Sequence, residues 1–189
     1  MMNPYAVVKW IWIALGIFWL LAAFVQKRSV RRQSTGSRLL QVSIIVVALA
    51  PLFIAGRKFH LLHRHIFPTP FAVQAIGLLL MLIGGCFAVW ARIVLGRNWS
   101  GRVTVKESHV LITHGPYQWV RHPIYSGVLL LLLGTTMVVG TAVMILEIAA
   151  VALALWLKLR TEESFMQETF GEQYSEYRQR VKALIPHVI

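Results

Sequence analysis

Two stretches hold most of the side chains able to do chemistry: GPYQWVRHPIYSG (Gly115–Gly127) and RTEESFMQETFGEQYSEYRQRVKALIP (Arg160–Pro186). The first offers Tyr117, Arg121, His122 and Tyr125, and the second offers the adjacent pair Glu162 and Glu163. A carboxylate accepts hydrogen bonds from hydroxyls or an ammonium, a carboxylate or imidazole can take up a proton, and a tyrosine ring can face a cation. Pro123 fixes the turn after His122 and denies a helix start before it. Gly115 and Gly127 permit close backbone approach. No metal-ligand set is visible. His60, His63 and His65 resemble one superficially, but no carboxylate or cysteine lies near them. The single cysteine, Cys86, sits in an apolar run and reads as a buried structural thiol that can form no intrachain disulfide.

The elements that position these segments are apolar. Of the 189 residues 57% are hydrophobic and 14% charged, the charges falling in blocks, and the mean hydropathy is +0.65. That is a membrane composition, and no polar stretch is long enough to bury a core of its own. The expected fold is therefore all-α: a polytopic membrane protein of about five transmembrane helices, forming a single integral membrane domain over residues 1–189. Residues 1–95 carry three spans, roughly Tyr5–Val25, Leu39–Ala55 (kinked at Pro51) and Phe71–Leu95. Residues 96–189 form the part that carries the chemistry. Within it, residues 124–158 read as a tight hairpin of two short spans, broken around Gly134, Thr135, Thr136 and Gly140, and a polar, amphipathic, helical tail follows from Leu159 on the cytoplasmic side. The N-terminal apolar run is too long, and lacks the small-residue site, for a cleavable signal peptide.

A hairpin returns the chain to the side it left, so Gly115–Tyr125 and Arg160–Tyr177 must meet at one membrane face. Five spans put that face, the first loop and the tail on the same side. It carries 15 of the 19 Lys and Arg; Lys9, Arg57, Lys58 and Arg64 remain elsewhere. The positive-inside rule makes this face cytoplasmic and places the N-terminus outside. The net charge of +12 is then explained by topology and anionic lipid headgroups rather than by nucleic acid, because the bases flank apolar spans. The compact length and short termini point to a prokaryotic inner membrane.

In order and spacing, six motifs between Leu95 and Pro186 resemble the isoprenylcysteine carboxyl methyltransferase family, itself similar to the phospholipid methyltransferases. They are LGRNWS (Leu95–Ser100), His109 with Val110–Ile112, GPY (Gly115–Tyr117), RHPIY (Arg121–Tyr125), the Glu162–Glu163 pair and FGEQYSEY (Phe170–Tyr177). The resemblance implies methyl transfer from S-adenosylmethionine, leaving S-adenosylhomocysteine, to a lipophilic acceptor reached from the bilayer. The acceptor is either a prenylcysteine-type carboxylate or a phospholipid-type amine. Carried over by position, cofactor contacts fall on His109, Val110, Leu111, Ile112, Tyr117, His122, Pro123, Ile124, Tyr125 and Glu162. The family's substrate-facing basic residue, one helical turn before the glutamate, falls on Lys158, with Arg160 close by; Glu163 joins them as a candidate catalytic group. Lysine lacks the bidentate fork that suits a carboxylate, whereas an amine acceptor requires a base such as Glu162, Glu163 or His122.

Blander roles stand beside these. Arg121 can bind a lipid phosphate, Glu163 can be a solvated carboxylate in a first helical turn, and Lys158 can mark the interface by snorkelling. Tyr174 and Tyr177, three residues apart, read as packing the tail against the membrane surface. Trp10, Trp12, Trp19, Trp90 and Trp156 read as packing and interface anchors. Glu147, in the middle of a span, is expected to be protonated or hydrogen-bonded to a neighbouring helix. Two other functions remain open. The tail is also similar to that of NADPH-dependent membrane sterol reductases, and the scaffold could be non-catalytic.

Overall fold

The structure, a computed structural model, describes residues 3–23, 29–32, 65–96, 104–106 and 110–188. The expected second span, His60, His63 and His109 lie outside these. Five α-helices form the described body: α1 (Pro4–Ala23), α2 (Phe71–Leu95), α3 (Pro123–Val139), α4 (Ala142–Phe170) and α5 (Glu172–Arg180). A 3-10 turn, Gly115–Gln118, precedes α3. Among the described residues, the departures from helix are a short antiparallel ribbon, β1 (Ser29–Arg32) with β2 (Thr104–Lys106), and two isolated bridges, His65 with Thr141 and Val120 with Lys182. The ribbon ties the first loop to the segment before α3, as expected for two segments on one face.

Helices α1, α2 and α4 are each long and apolar enough to cross a membrane, and α3 is a shorter apolar helix of 17 residues. The third expected span coincides with α2. The hairpin forms, but it turns only at Gly140, whose left-handed φ of 70° suits glycine. Thr135 and Thr136 stay helical, and their buried hydroxyls are satisfied by donating to the carbonyls of Leu131 and Leu132, both at 2.9 Å. The hairpin tip meets the loop before α2, where the Ile66 amide donates to the Gly140 carbonyl at 2.9 Å.

The second limb departs most from expectation. It does not end at Lys158: α4 runs unbroken to Phe170, 29 residues or roughly 43 Å. That exceeds the roughly 30 Å of hydrocarbon, so its polar last turns project from the apolar part as one rigid rod.

Helices α2 and α3 pack at backbone distance. Gly77 and Gly84 of α2 face Gly134 and Gly127 of α3, and both pairs are seven residues apart on their own helix. A Cβ added at Gly84 would lie 2.6 Å from the Gly127 carbonyl oxygen, and one at Gly77 would lie 2.7 Å from that of Gly134. Small residues are what allow such proximity where lipid removes any hydrophobic drive to associate. Met81, Leu131, Val138 and Val8 fill the space alongside, and Trp12 of α1 donates its indole N–H to Thr135 at 3.2 Å. With Gly84 and Gly85 turned inward, Cys86 is carried to the opposite face. It is exposed, not buried as the apolar run suggested.

Gly134→Ala is expected to destabilise the protein by about 1–3 kcal/mol, because the new methyl meets backbone that cannot yield. Gly16→Ala, with nothing within 4 Å of its Cβ, is expected to be neutral. Thermal unfolding of the two variants in one detergent makes the comparison.

Candidate active site

The site is assembled from three directions. From the first comes the turn ahead of α3. Gly115 adopts a φ of 61° and starts the 3-10 turn, which buries Pro116 and Tyr117. Pro123 then opens α3 as its first residue, as its ring and missing N–H favour. His122 is thereby left at the helix mouth. Its ring stacks on Tyr125 with centroids 5.3 Å apart and planes 8° from parallel.

From the second direction comes α4. Glu162 Oε2 lies 3.5 Å from His122 Nδ1, and Glu162 Oε1 lies 3.9 Å from the ammonium of Lys158 one turn earlier. Lys158 in turn stands 5.4 Å above the Tyr125 ring. Tyr117 also feels this carboxylate: burial first, and then the negative charge of Glu162, push its phenol well above the ordinary tyrosine value. Glu162 is thus ringed by His122, Tyr125, Lys158 and Tyr117; the Tyr125 phenol hydrogen-bonds to it, and its contacts to His122 and Lys158 are long. It retains accepting capacity and is about one-fifth exposed.

Its neighbour is spoken for. Arg121 donates to Glu163 Oε1 from Nε at 2.8 Å and from a terminal nitrogen at 2.5 Å, with the two side chains only 8% and 12% exposed. Arg178 approaches the other oxygen at 3.8 Å. His122 Nε2 lies 3.4 Å from Glu163 Oε1, within ionic reach, but it is buried without a hydrogen-bond partner. The contact is therefore electrostatic. Burial alone would lower the His122 pKa; the two flanking carboxylates outweigh it and hold the imidazole above its ordinary value.

The third direction went unnoticed in the sequence. The chain after α5 folds back along the turn. The amides of Arg121 and His122 donate to the carbonyls of Lys182 and Ala183 at 2.8 and 2.9 Å, and Ser126 Oγ donates to that of Leu184 at 2.6 Å. The Arg121 guanidinium also donates to the carbonyls of Val181 and Arg178. Ala183 closes an apolar floor with Tyr125 and Leu159, against which Ile124 packs. Tyr174 and Tyr177 belong to this clamp. Both are buried, at 2% and 4% exposure, and the Tyr177 hydroxyl donates to the Tyr117 carbonyl. They do not face the membrane surface, because α5 turns that side towards the 3-10 turn.

Of the residues singled out by sequence, Tyr117, His122, Pro123, Ile124, Tyr125, Lys158, Glu162 and Glu163 converge. Leu111 and Ile112 are half-buried in the irregular stretch before the 3-10 turn, and Val110 is exposed. Arg160 does not join Lys158. Two residues on, it points to another side of α4, where its guanidinium lies 4.9 Å over the Trp156 ring. Glu147 is buried within α4.

Comparison with known proteins follows the same outline. The model of the isoprenylcysteine carboxyl methyltransferase family matches residues 75–168, from α2 through nearly all of α4. A probable protein-S-isoprenylcysteine O-methyltransferase of rice (Oryza sativa subsp. indica) is 32% identical over 178 residues, covering 89% of this chain and 87% of that protein. The protein-S-isoprenylcysteine O-methyltransferase of Tribolium castaneum is 35% identical over 119 residues, 60% of this chain and 41% of that one. The fold matches that of a eukaryotic intramembrane Ras methyltransferase with a TM-score of 0.54, at 24% identity, over 82% of this chain. The chain spans about half (54%) the length of that solved structure.

Replacing Arg121 by Gln is expected to cost about 3 kcal/mol, because it strands Glu163 in a poorly solvated place and loosens the clamp. Thermal unfolding, together with faster proteolysis beyond Gly171, reads this. His122 adds a pH dependence. A raised folded pKa means that its stabilisation is complete below about pH 6.5 and is lost as the pH rises through the higher folded value. The unfolding temperature should fall across that rise in the native chain, and the fall should flatten in His122→Gln.

Proposed function

Because the chain belongs to the isoprenylcysteine carboxyl methyltransferase family, we propose that it is an integral membrane methyltransferase that uses S-adenosylmethionine to esterify a prenylcysteine-type carboxylate. The observation that carries this reading is the half-buried Glu162, flanked by His122, Tyr125 and Lys158 where α4 leaves its apolar length.

The groups around Glu162 suit such a cofactor. A carboxylate with accepting capacity can take a ribose hydroxyl or the ammonium of an amino-acid head, and the rings of Tyr125 and Tyr117 can face adenine or a cation. Ile124, packed against Tyr125, adds apolar surface, and the family resemblance extends the cofactor's contacts to Pro123 and to the segment His109, Val110, Leu111 and Ile112. When bound, S-adenosylmethionine supplies an electrophilic methyl group on its sulfonium. What this chain does is align and exclude water. Lys158 orients the acceptor carboxylate as a point charge, close enough to Glu162 to set the two reactants on neighbouring sites. A carboxylate is already a nucleophile, so no residue need remove a proton. Glu163, engaged by Arg121, positions the turn that bears His122 rather than touching the reactants. Arg160, turned towards Trp156, leaves Lys158 as the acceptor's cation. The names borne by the relatives support the carboxylate over an amine.

The distribution of Lys and Arg supports a cytoplasmic site, five spans with the N-terminus outside, and a cofactor arriving from the aqueous side while the acceptor arrives through the bilayer. The relatives named above are eukaryotic.

Calorimetric titration of the detergent-solubilised protein with S-adenosylhomocysteine should show saturable binding, and Glu162→Ala should weaken it by about tenfold or more. Binding of NADPH in its place would replace this reading with a reductase, and binding of neither would make the scaffold non-catalytic. A prenylated N-acetylcysteine, offered with labelled cofactor beside phosphatidylethanolamine, should be the one that gains the label.

A further inference from the structure

The far side of α4 carries a second feature that methyl transfer does not use. A cleft of about 660 Å³ opens between the projecting end of α4 and the chain after α5. Four cations line it, Arg121, Arg160, Arg178 and Lys182, against the carboxylates of Glu163 and Glu168. Glu163 is already engaged by Arg121. Among the described residues, Arg160 and Lys182 make no ion pair with a carboxylate. Arg160 is held over the Trp156 ring, which aims a guanidinium without neutralising it. The floor is apolar, made by Trp156, Leu159 and Val188.

Below the cleft, the same face of α4 continues as an apolar stripe. Ile145, Leu146, Leu153 and Trp156 recur at intervals that keep them on one side of a helix, and each is at least 40% exposed. The stripe lies in the apolar length of α4, and the cations lie just past its last tryptophan, the residue type that marks a membrane interface. Long apolar contacts capped by a positively charged hollow match an amphiphile with an anionic head.

We propose that this cleft is a binding site for an anionic phospholipid, whose phosphate is met by Arg160, Arg178 and Lys182 and whose acyl chains lie along Ile145, Leu146, Leu153 and Trp156. Charge complementarity selects the headgroup, and the stripe selects a lipid over a soluble anion. The site stands on the opposite side of α4 from Lys158 and is separate from the acceptor's path. Through Arg121 and Arg178, which also touch Glu163, a phosphate here would reinforce the clamp behind His122.

The test uses the full chain in bilayer nanodiscs with lipids spin-labelled on the acyl chain. Phosphatidylglycerol should show a larger motionally restricted fraction than phosphatidylcholine. The double substitution Arg160→Gln with Lys182→Gln should lower the relative affinity for phosphatidylglycerol by about tenfold or more, while Arg160→Lys with Lys182→Arg keeps it. A second readout needs no variant: the unfolding temperature of the native chain should be higher in discs containing phosphatidylglycerol than in phosphatidylcholine alone. Equal restriction of the two lipids overturns the proposal, as does a preference unchanged in the double glutamine variant. Loss of the preference on adding inorganic phosphate also overturns it, and makes the cleft a soluble-anion site.

Discussion

The pairing of Arg121 with Glu163 is the interaction on which the rest of the site depends. Both side chains are nearly out of water, and a carboxylate so placed is tolerable only with a partner. Arg121 supplies that partner and then spends its remaining donors on the carbonyls of Arg178 and Val181. One side chain therefore touches three pieces at once: the turn before α3, the projecting end of α4 and the strap after α5. Once the three are joined, Glu162 has no freedom to leave His122. The adjacency of two glutamates is thus a division of labour: Glu163 holds the frame, and its neighbour, turned roughly 100° around the helix, faces His122 and Lys158.

The membrane imposes the second constraint. A helix that crosses hydrocarbon must satisfy its own backbone, so it is straight and stiff. By continuing α4 past the apolar region, the fold borrows that stiffness for the side chains that need accurate placement. The glycine crossings of α2 on α3 do the same for the other half, because α3 begins directly after His122 and its axis is set by Gly127 and Gly134 against Gly84 and Gly77. Accuracy in the polar site therefore originates in packing deep within the apolar layer.

Much of this was legible in the sequence, for definable reasons. Apolar runs of span length identified α1 and α2 closely, since few residue types are tolerated in lipid. Hairpin geometry brought the segment that holds Glu162 to the segment that holds His122. Reading the end of α4 at Lys158 confused a change of polarity with a change of structure. A better signal was present: between Thr141 and Gly171 there is neither glycine nor proline, and Thr161–Phe170 holds several good helix formers. Tyr174 and Tyr177 were misassigned because a tyrosine on a short amphipathic helix suits a membrane surface or a protein core equally well. The strap itself was invisible, since it works through the main-chain carbonyls of Val181, Lys182, Ala183 and Leu184, which every residue type possesses. Cys86 shows the converse: in a membrane an apolar run has no obligatory inside, so hydrophobicity alone does not reveal which face is buried.

The bonds of the strap span some sixty residues of chain: Arg121 to Val181 and Ser126 to Leu184. The order in which a ribosome makes the protein gives this a temporal meaning. A nascent chain that has inserted α1 through α3 displays His122 and Tyr125 without Glu162 and Glu163, the two carboxylates that flank His122 in the folded protein. It acquires Glu162 only when α4 has crossed back, and the strap only after α5 has emerged. Any encounter with a reactive methyl donor before then meets an open turn. The site is complete only once the strap has emerged, and every intermediate that stops short of Leu184 lacks part of it.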